Sequence, residues 1–350
     1  MSYTISGIQQ IGVGIPDLKG AWAWYRSAFG MDVPVFQDEA DAPLMTIYTG
    51  GAVQRRNAVL ALNMAGGAGF EIWQYKSRTP VAPAFEPALG DTGVFAAVMK
   101  SADVHAAHRH LLKIGANLVT GPTAGPDGAP RFFVRDPHGY LFQIAPAIDW
   151  FGNPVPIGGA GGAIIGCSDI DRARPVYQHV LGYDRVLDDS TGVFPDLAGL
   201  PGGDRELRRL LLTHTQPRKG PFSELLGSST IELVQTLSGA PRRIYADRYW
   251  GDLGFIHLCY DVRGMSGLKE TCAAVGHPFT VDSGETFDMG DAGGRFSYIE
   301  DPDGTLIEFV ETHKIPILKS LGIALNLSRR PADRALPHWL GAMLGLMRVG

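Results

Sequence analysis

The sequence predicts an α+β protein of four βαβββ modules followed by a helical tail. Three observations lead there: an internal repeat, a glycine content suited to tight turns, and alternating strand pairs joined by Pro/Gly turns. The repeat carries most weight. GIPDLKGAWAWYRSAFGMD (14–32) returns as GCSDIDRARPVYQHVLGYD (166–184), and GDTGVFAAV (90–98) as GDLGFIHLCYDV (251–262). RFFVRDPHGYLFQIAP (131–146) returns as RFSYIEDPDGTLIEFV (295–310). Such self-similarity marks two homologous halves.

Each half divides again, placing modules at 8–79, 93–147, 160–236 and 254–312. After the first strand, Asp17 and Asp169 suit helix N-caps, and Gly30 and Gly182 suit the left-handed residue past the C-terminus. Val104, Ala107, Leu111 and Ile114 recur at helical spacing and end at Gly115. FFVRD–PHG–YLFQI and its counterpart read as hairpins. Glycine fills 45 of 350 positions, roughly twice its usual share of about 7%. A 45% hydrophobic and 19% charged composition supports a large core, and a net charge of −5 offers no field to collect nucleic acid. Three cysteines without CxxC spacing point away from a disulfide framework. The first residues lack the basic and apolar regions of a signal peptide, so a cytoplasmic protein is expected.

The strand–Asp–helix–Tyr–x4–Gly openings (Tyr25 to Gly30, Tyr177 to Gly182) and the DPxG turns (Asp136–Gly139, Asp301–Gly304) together resemble the vicinal-oxygen-chelate superfamily. That family includes glyoxalase I, bleomycin resistance proteins and extradiol dioxygenases. The resemblance covers about residues 5–313 and implies that pairs of modules curl into barrels around a metal. Four modules then imply two glyoxalase-like barrels. With each half taken as one barrel, residues 1–148 form the first, 149–159 a linker, 160–313 the second, and 314–350 an amphipathic helical tail.

The resemblance also implies ligands from four strand positions, with His or Gln, Glu, His and Glu as usual occupants. In the first half these fall at Gln10, Glu71, Ala96 and Gln143. Alanine cannot ligate and the amides are weak donors, so this barrel is expected to be metal-free or to bind an organic molecule. In the second half they fall at Gly162, Glu232, His257 and Glu308. Alternation puts His257 opposite Ile256 and Leu258, and Glu308 opposite Ile307 and Phe309. Buried charges of this kind need a partner or a metal. The expected ligands are therefore His257, Glu308 and Glu232, with His214 in reserve and Zn, Mn, Ni or Fe(II) as the ion. Gly162 removes one imidazole of the dioxygenase iron triad. Glu232 is the expected base and Tyr298 either a proton donor or a packed ring, with Tyr260, Arg295 and Asp282 as further lining and Cys259 an inert buried thiol rather than a ligand contact.

The tail sets Lys314, Lys319, Arg329, Arg330, Arg334 and Arg348 against one acid, Asp333. Leu336, Trp339, Leu340, Met343, Leu344 and Met347 follow helical spacing, which favours docking on the protein itself over a subunit contact or a membrane surface. The functional expectation is a metal-dependent enzyme acting on a small oxygenated metabolite, of lyase or isomerase type. The alternatives are a metal-free binding or drug-resistance protein, and a dioxygenase-like enzyme with an atypical iron site. The partner is a small molecule, and a homo-oligomer is open. No nucleotide loop, GxSxG or HExxH occurs.

Overall fold

The first module consists of β1 (Thr4–Gly14), α1 (Leu18–Phe29), β2 (Val33–Asp41), β3 (Arg55–Leu62) and β4 (Gly69–Tyr75). The second comprises β5 (Gly93–Ser101), α2 (Val104–Lys113), β6 (Asn117–Leu118), β7 (Pro130–Arg135) and β8 (Leu141–Pro146). The third has β9 (Ala160–Gly166), α3 (Ile170–Pro175), β10 (Arg185–Gly192), β11 (Leu207–Thr213), α4 (Ser223–Leu226) and β12 (Thr230–Thr236). The fourth has β13 (Gly254–Arg263), α5 (Met265–Ala274), β14 (Val281–Asp282), β15 (Ala292–Glu300) and β16 (Leu306–Leu318). This structure, a computed structural model, describes residues 2–284, 287–289, 292–318 and 323–350, with 287–289, 292, 315–318 and 323–324 as main chain only.

The helix signals work as read. Asp17 accepts from the amides of Lys19 and Gly20 (3.1 Å each), and Gly30 closes α1 at φ 63°. Asp169 caps α3 in the same way, but Pro175 has no N–H to continue an α-helix, and the chain runs on as a π turn over Val176–Val180. In both DPxG turns the Asp holds the turn itself. Asp136 Oδ1 accepts from His138 and Tyr140, and Asp301 Oδ1 from Asp303 and Thr305.

The sheets do not follow the halves. One sheet runs β14-β15-β16-β13-β1-β4-β3-β2, joining the first module to the fourth. The other runs β10-β11-β12-β9-β5-β8-β7-β6, joining the third to the second. The seams are antiparallel pairs of first strands, β1 with β13 and β9 with β5. Residues 1–148 and 160–313 are therefore not two barrels: each contributes one module to each sheet. Consecutive modules are tied by side chains instead. Tyr25 of α1 donates to Asp136 of the second module (2.6 Å), and Tyr177 of the third to Asp301 of the fourth (2.9 Å). These are the residues that make the repeat visible. One continuous apolar core, from Tyr25 and Phe29 through Phe132 and Phe142 to Leu258 and Phe309, fills the space behind both curled sheets.

The tail also differs from expectation. Residues 314–318 prolong β16, which pairs with β17 (Ile323–Asn326), and helix appears only in α6 (His338–Ala342) and a 3-10 turn, Met343–Met347. Lys319 lies outside the described residues. The tail does dock: His338 stacks on Phe151 (4.2 Å between centroids), Leu344 joins Val33, Leu62, Met64 and Leu225, and Arg348 pairs with Asp32 (3.0 Å). Of the expected stripe, Trp339 is not an anchor, being 62% exposed. Among the described residues, no helix is long and apolar enough to cross a membrane.

Candidate metal centre

Pairing the first module with the fourth brings Gln10 and Glu71 to His257 and Glu308. The parallel register of β1 on β4 sets Gly12 beside Glu71, and the antiparallel register of β1 on β13 sets Gly12 beside His257. Glu308 lies beside Cys259 on β13 and opposite Tyr298 on β15. The seam carries bulges, because residue pairs Ile8–Tyr260 and Gln10–Cys259 skip Gln9, and Gly12–His257 and Val13–Phe255 skip Ile256. Bulges re-aim side chains. Ile256 accordingly packs with Trp73 and Tyr298 on the concave side, not opposite His257 as simple alternation implies.

His257 is fully buried and Gln10, Glu71 and Glu308 nearly so, although the two Glu side chains keep 11% and 10% exposure. The His257 Nε2 lies 3.0 Å from Glu308 Oε2 and 3.4 Å from Glu71 Oε2. Yet both ring nitrogens and Glu308 Oε2 are without a hydrogen-bond partner. Glu71, His257 and Glu308 offer ligand atoms that all lie within 4.8 Å of one another. Buried donors and acceptors that crowd together without bonding suit the coordination of a shared cation. Gln10 Nε2 donates to Glu71 Oε2 (3.2 Å), which leaves the Gln10 Oε1 as a fourth ligand atom. One imidazole, two carboxylates and an amide oxygen fit a divalent ion such as Zn or Mn.

The electrostatics agree. Burial lowers the pKa of His257, but Glu308 and then Glu71 outweigh it and hold the group at about 9. The Tyr298 hydroxyl and Cys259 thiol are both pushed well up, first by burial and then by Glu308 and Glu71. Tyr298 packs edge-on to His257, 5.6 Å between centroids. Gly12 is required by contact: a Cβ there would lie 2.6 Å from His257 Cε1.

An aromatic wall of Trp73, Tyr75, Trp250 and Tyr298 closes one end of the concave face. The 3-10 turn Pro43–Tyr48 crosses from β2 to bond Thr280 through Tyr48 (2.6 Å). A partly open cleft of about 60 Å³ adjoins this end, shares Trp250 with the wall, and carries Tyr48, Ile256, Arg243 and Arg248.

Of the expected residues, His257, Glu308 and Tyr298 meet here, and Gln10 and Glu71 join them. Glu232 does not. It lies in the other sheet, where Arg209 Nε donates to its Oε1 (2.5 Å). His214 is also remote, with Nδ1 on the Gln216 carbonyl and Nε2 accepting from the Ser229 amide. Tyr260 faces the shared core and bonds Tyr183 (3.1 Å), because odd-numbered β13 residues face inward after the bulge. Arg295 and Asp282 pair with each other at the sheet edge.

Residues 7–144 match the Glyoxalase/Bleomycin resistance protein/Dioxygenase superfamily. No curated protein matches the chain. Among solved structures, glyoxalase I from Zea mays is 15% identical with a TM-score of 0.52, covering 89% of this chain and 92% of that one. A dioxygenase candidate from Bacillus subtilis is 16% identical with a TM-score of 0.54, covering 89% and 86%. At these identities the likeness is one of fold. Residues 7–144 thus match the glyoxalase/bleomycin resistance/dioxygenase superfamily, and nearly the whole chain shares the fold of glyoxalase I.

Proposed function

We propose that the chain is a metal-dependent enzyme acting on a small metabolite with neighbouring oxygens, of isomerase or lyase type. The observation that carries this reading is the buried convergence of ligand atoms from His257, Glu71 and Glu308, completed by Gln10. A divalent ion held by these four residues supplies a Lewis acid that polarises neighbouring substrate oxygens. Glu308 is the base, since its Oε2 faces only the His257 ring (3.0 Å) without a well-aligned hydrogen bond, whereas Glu71 Oε2 accepts from Gln10. Tyr298, kept protonated by burial and by both carboxylates, is the proton donor. The buried apolar wall around Trp73 and Trp250 excludes water. Two carboxylates with one imidazole do not make the two-imidazole, one-carboxylate iron site, which favours proton transfer over O₂ chemistry.

The test is solvent-deuterium incorporation into a panel of α-hydroxy and α-keto carbonyl compounds by the metal-loaded protein, read by mass spectrometry. Exchange lost in Glu308→Gln and slowed in Tyr298→Phe supports the reading. Exchange equal in wild type and Glu308→Gln contradicts it, and tight metal-independent binding of a panel member would favour the sequestering class.

A further inference from the structure

The barrel formed by the second and third modules, here the second barrel beside the first barrel of the first and fourth, holds the same four positions, and pairwise register maps them one to one. Ile164 lies beside Glu232 and Ala96, as Gly12 lies beside Glu71 and His257. Gly162 pairs with Val98, and Val98 with Gln143, as Gln10 pairs with Cys259 and Cys259 with Glu308. So Glu232 stands for Glu71, Ala96 for His257, Gln143 for Glu308 and Gly162 for Gln10. Only one carboxylate survives, and a ligand set for a metal is not there.

What occupies the centre is a side chain. Arg209 on β11 is fully buried, grips Asp196 with both Nη atoms (2.8 and 2.9 Å), and donates through Nε to Glu232. The Phe194 ring covers the guanidinium at 4.6 Å. A compensating exchange makes room for it. Arg209 pairs with Val234, where the first barrel pairs Ala58 with Trp73. Ile164 fills the space that Gly12 leaves for an imidazole, and Phe133 replaces Tyr298 opposite Gln143. Glu232 Oε2 and Gln143 Nε2 remain buried and unpartnered.

We infer that this barrel is a vacated cation centre in which Arg209 supplies, as a permanent internal cation, the positive charge that an ion supplies elsewhere in the fold. Asp196 and Glu232 then form a latent divalent-cation site, closed by the guanidinium and reopened by its removal. Burial of two carboxylates without a counter-charge is strongly unfavourable, so the vacancy recruits an ion or destabilises the chain.

The experiment is metal stoichiometry and melting of the full chain with Mn²⁺ alone. Arg209→Met, similar in length but uncharged, is expected to bind one Mn²⁺ more per chain than wild type. Its melting temperature should be lower without Mn²⁺ and largely restored with it. The extra equivalent should vanish in Arg209→Met/Glu232→Gln and persist in Arg209→Met/Glu71→Gln, whatever the first centre does. Folded Arg209→Met with no added equivalent overturns the inference. If Arg209→Met does not fold, the neutral variant Asp196→Asn/Arg209→Met/Glu232→Gln should. A neutral variant equally unfolded shows that Arg209 acts through packing and also overturns it.

Discussion

Glu71→Gln separates a metal centre from a merely structural cluster, because the two roles predict different melting behaviour. Without metal, the charge on Glu71 has opposing effects. At an effective dielectric constant of about 20, its attraction to protonated His257 at 3.4 Å is about 5 kcal/mol. Its repulsion from Glu308, with ligand atoms within 4.8 Å, is about 3.5 kcal/mol or more on the same basis. The difference of about 1 kcal/mol shifts the melting temperature of a chain this size by only about 2 °C. With metal the balance changes. Loss of groups that merely support ligands weakens binding about 10–100-fold, so loss of a charged ligand should raise Kd at least about a hundredfold. At a metal concentration about 1,000 times the wild-type Kd, stabilisation then falls from about 4 to about 1.4 kcal/mol. Thermal melts with Mn²⁺ or Zn²⁺, and with chelator, read this directly. The metal-free melts should nearly coincide, and the metal-induced rise should shrink to about a third. A variant that keeps the full rise would refute a centre reaching into the first module.

Gly12→Ala should weaken metal binding without altering any ligand, since the new Cβ meets His257 at 2.6 Å; titration calorimetry showing wild-type affinity would contradict this. Asp261 is fully buried on β13, and burial, against Ser6 and Arg263, raises its pKa to about 7. The folded chain thus keeps a proton that the unfolded chain releases near pH 4, so stability is lost as pH rises from about 4 to 7. Asp261→Asn should therefore gain melting temperature relative to wild type over that range and level off above it; a difference independent of pH would count against this. Deleting 338–350 should lower the melting temperature by several degrees, through loss of the contacts of His338, Leu344 and Arg348, and leave metal affinity unchanged. Unchanged melting would show that these contacts add nothing.

The modules, the helix caps and the inner-face positions are legible in the sequence because each rests on local rules: alternation, capping oxygens and Pro/Gly turns. Module partnership is not local. It is decided by main-chain hydrogen bonds between first strands, and these groups are alike in β1, β5, β9 and β13. Read half by half, Gln10 and Glu71 stand beside Ala96 and Gln143, while His257 and Glu308 stand beside Glu232. Only the observed pairing gathers the four oxygen and nitrogen donors. The exclusion of Glu232 had a readable signal in Arg209, an inward-facing charge on the apolar strand LRRLLLT, although its partner Asp196 lies outside the strand pattern. The bulge at Ile256 has no such signal, since nothing in GFIHLC breaks alternation. The tail stripe misleads because a short helix docked at one corner uses only part of a periodic face.

The central claim is one centre built from the first and last modules, and anomalous-scattering maps from Mn²⁺-loaded crystals test it most directly. The account predicts one peak per chain, bounded by Gln10, Glu71, His257 and Glu308, and no peak between Asp196 and Glu232. A peak in the barrel of Glu232, or none beside His257, would contradict it.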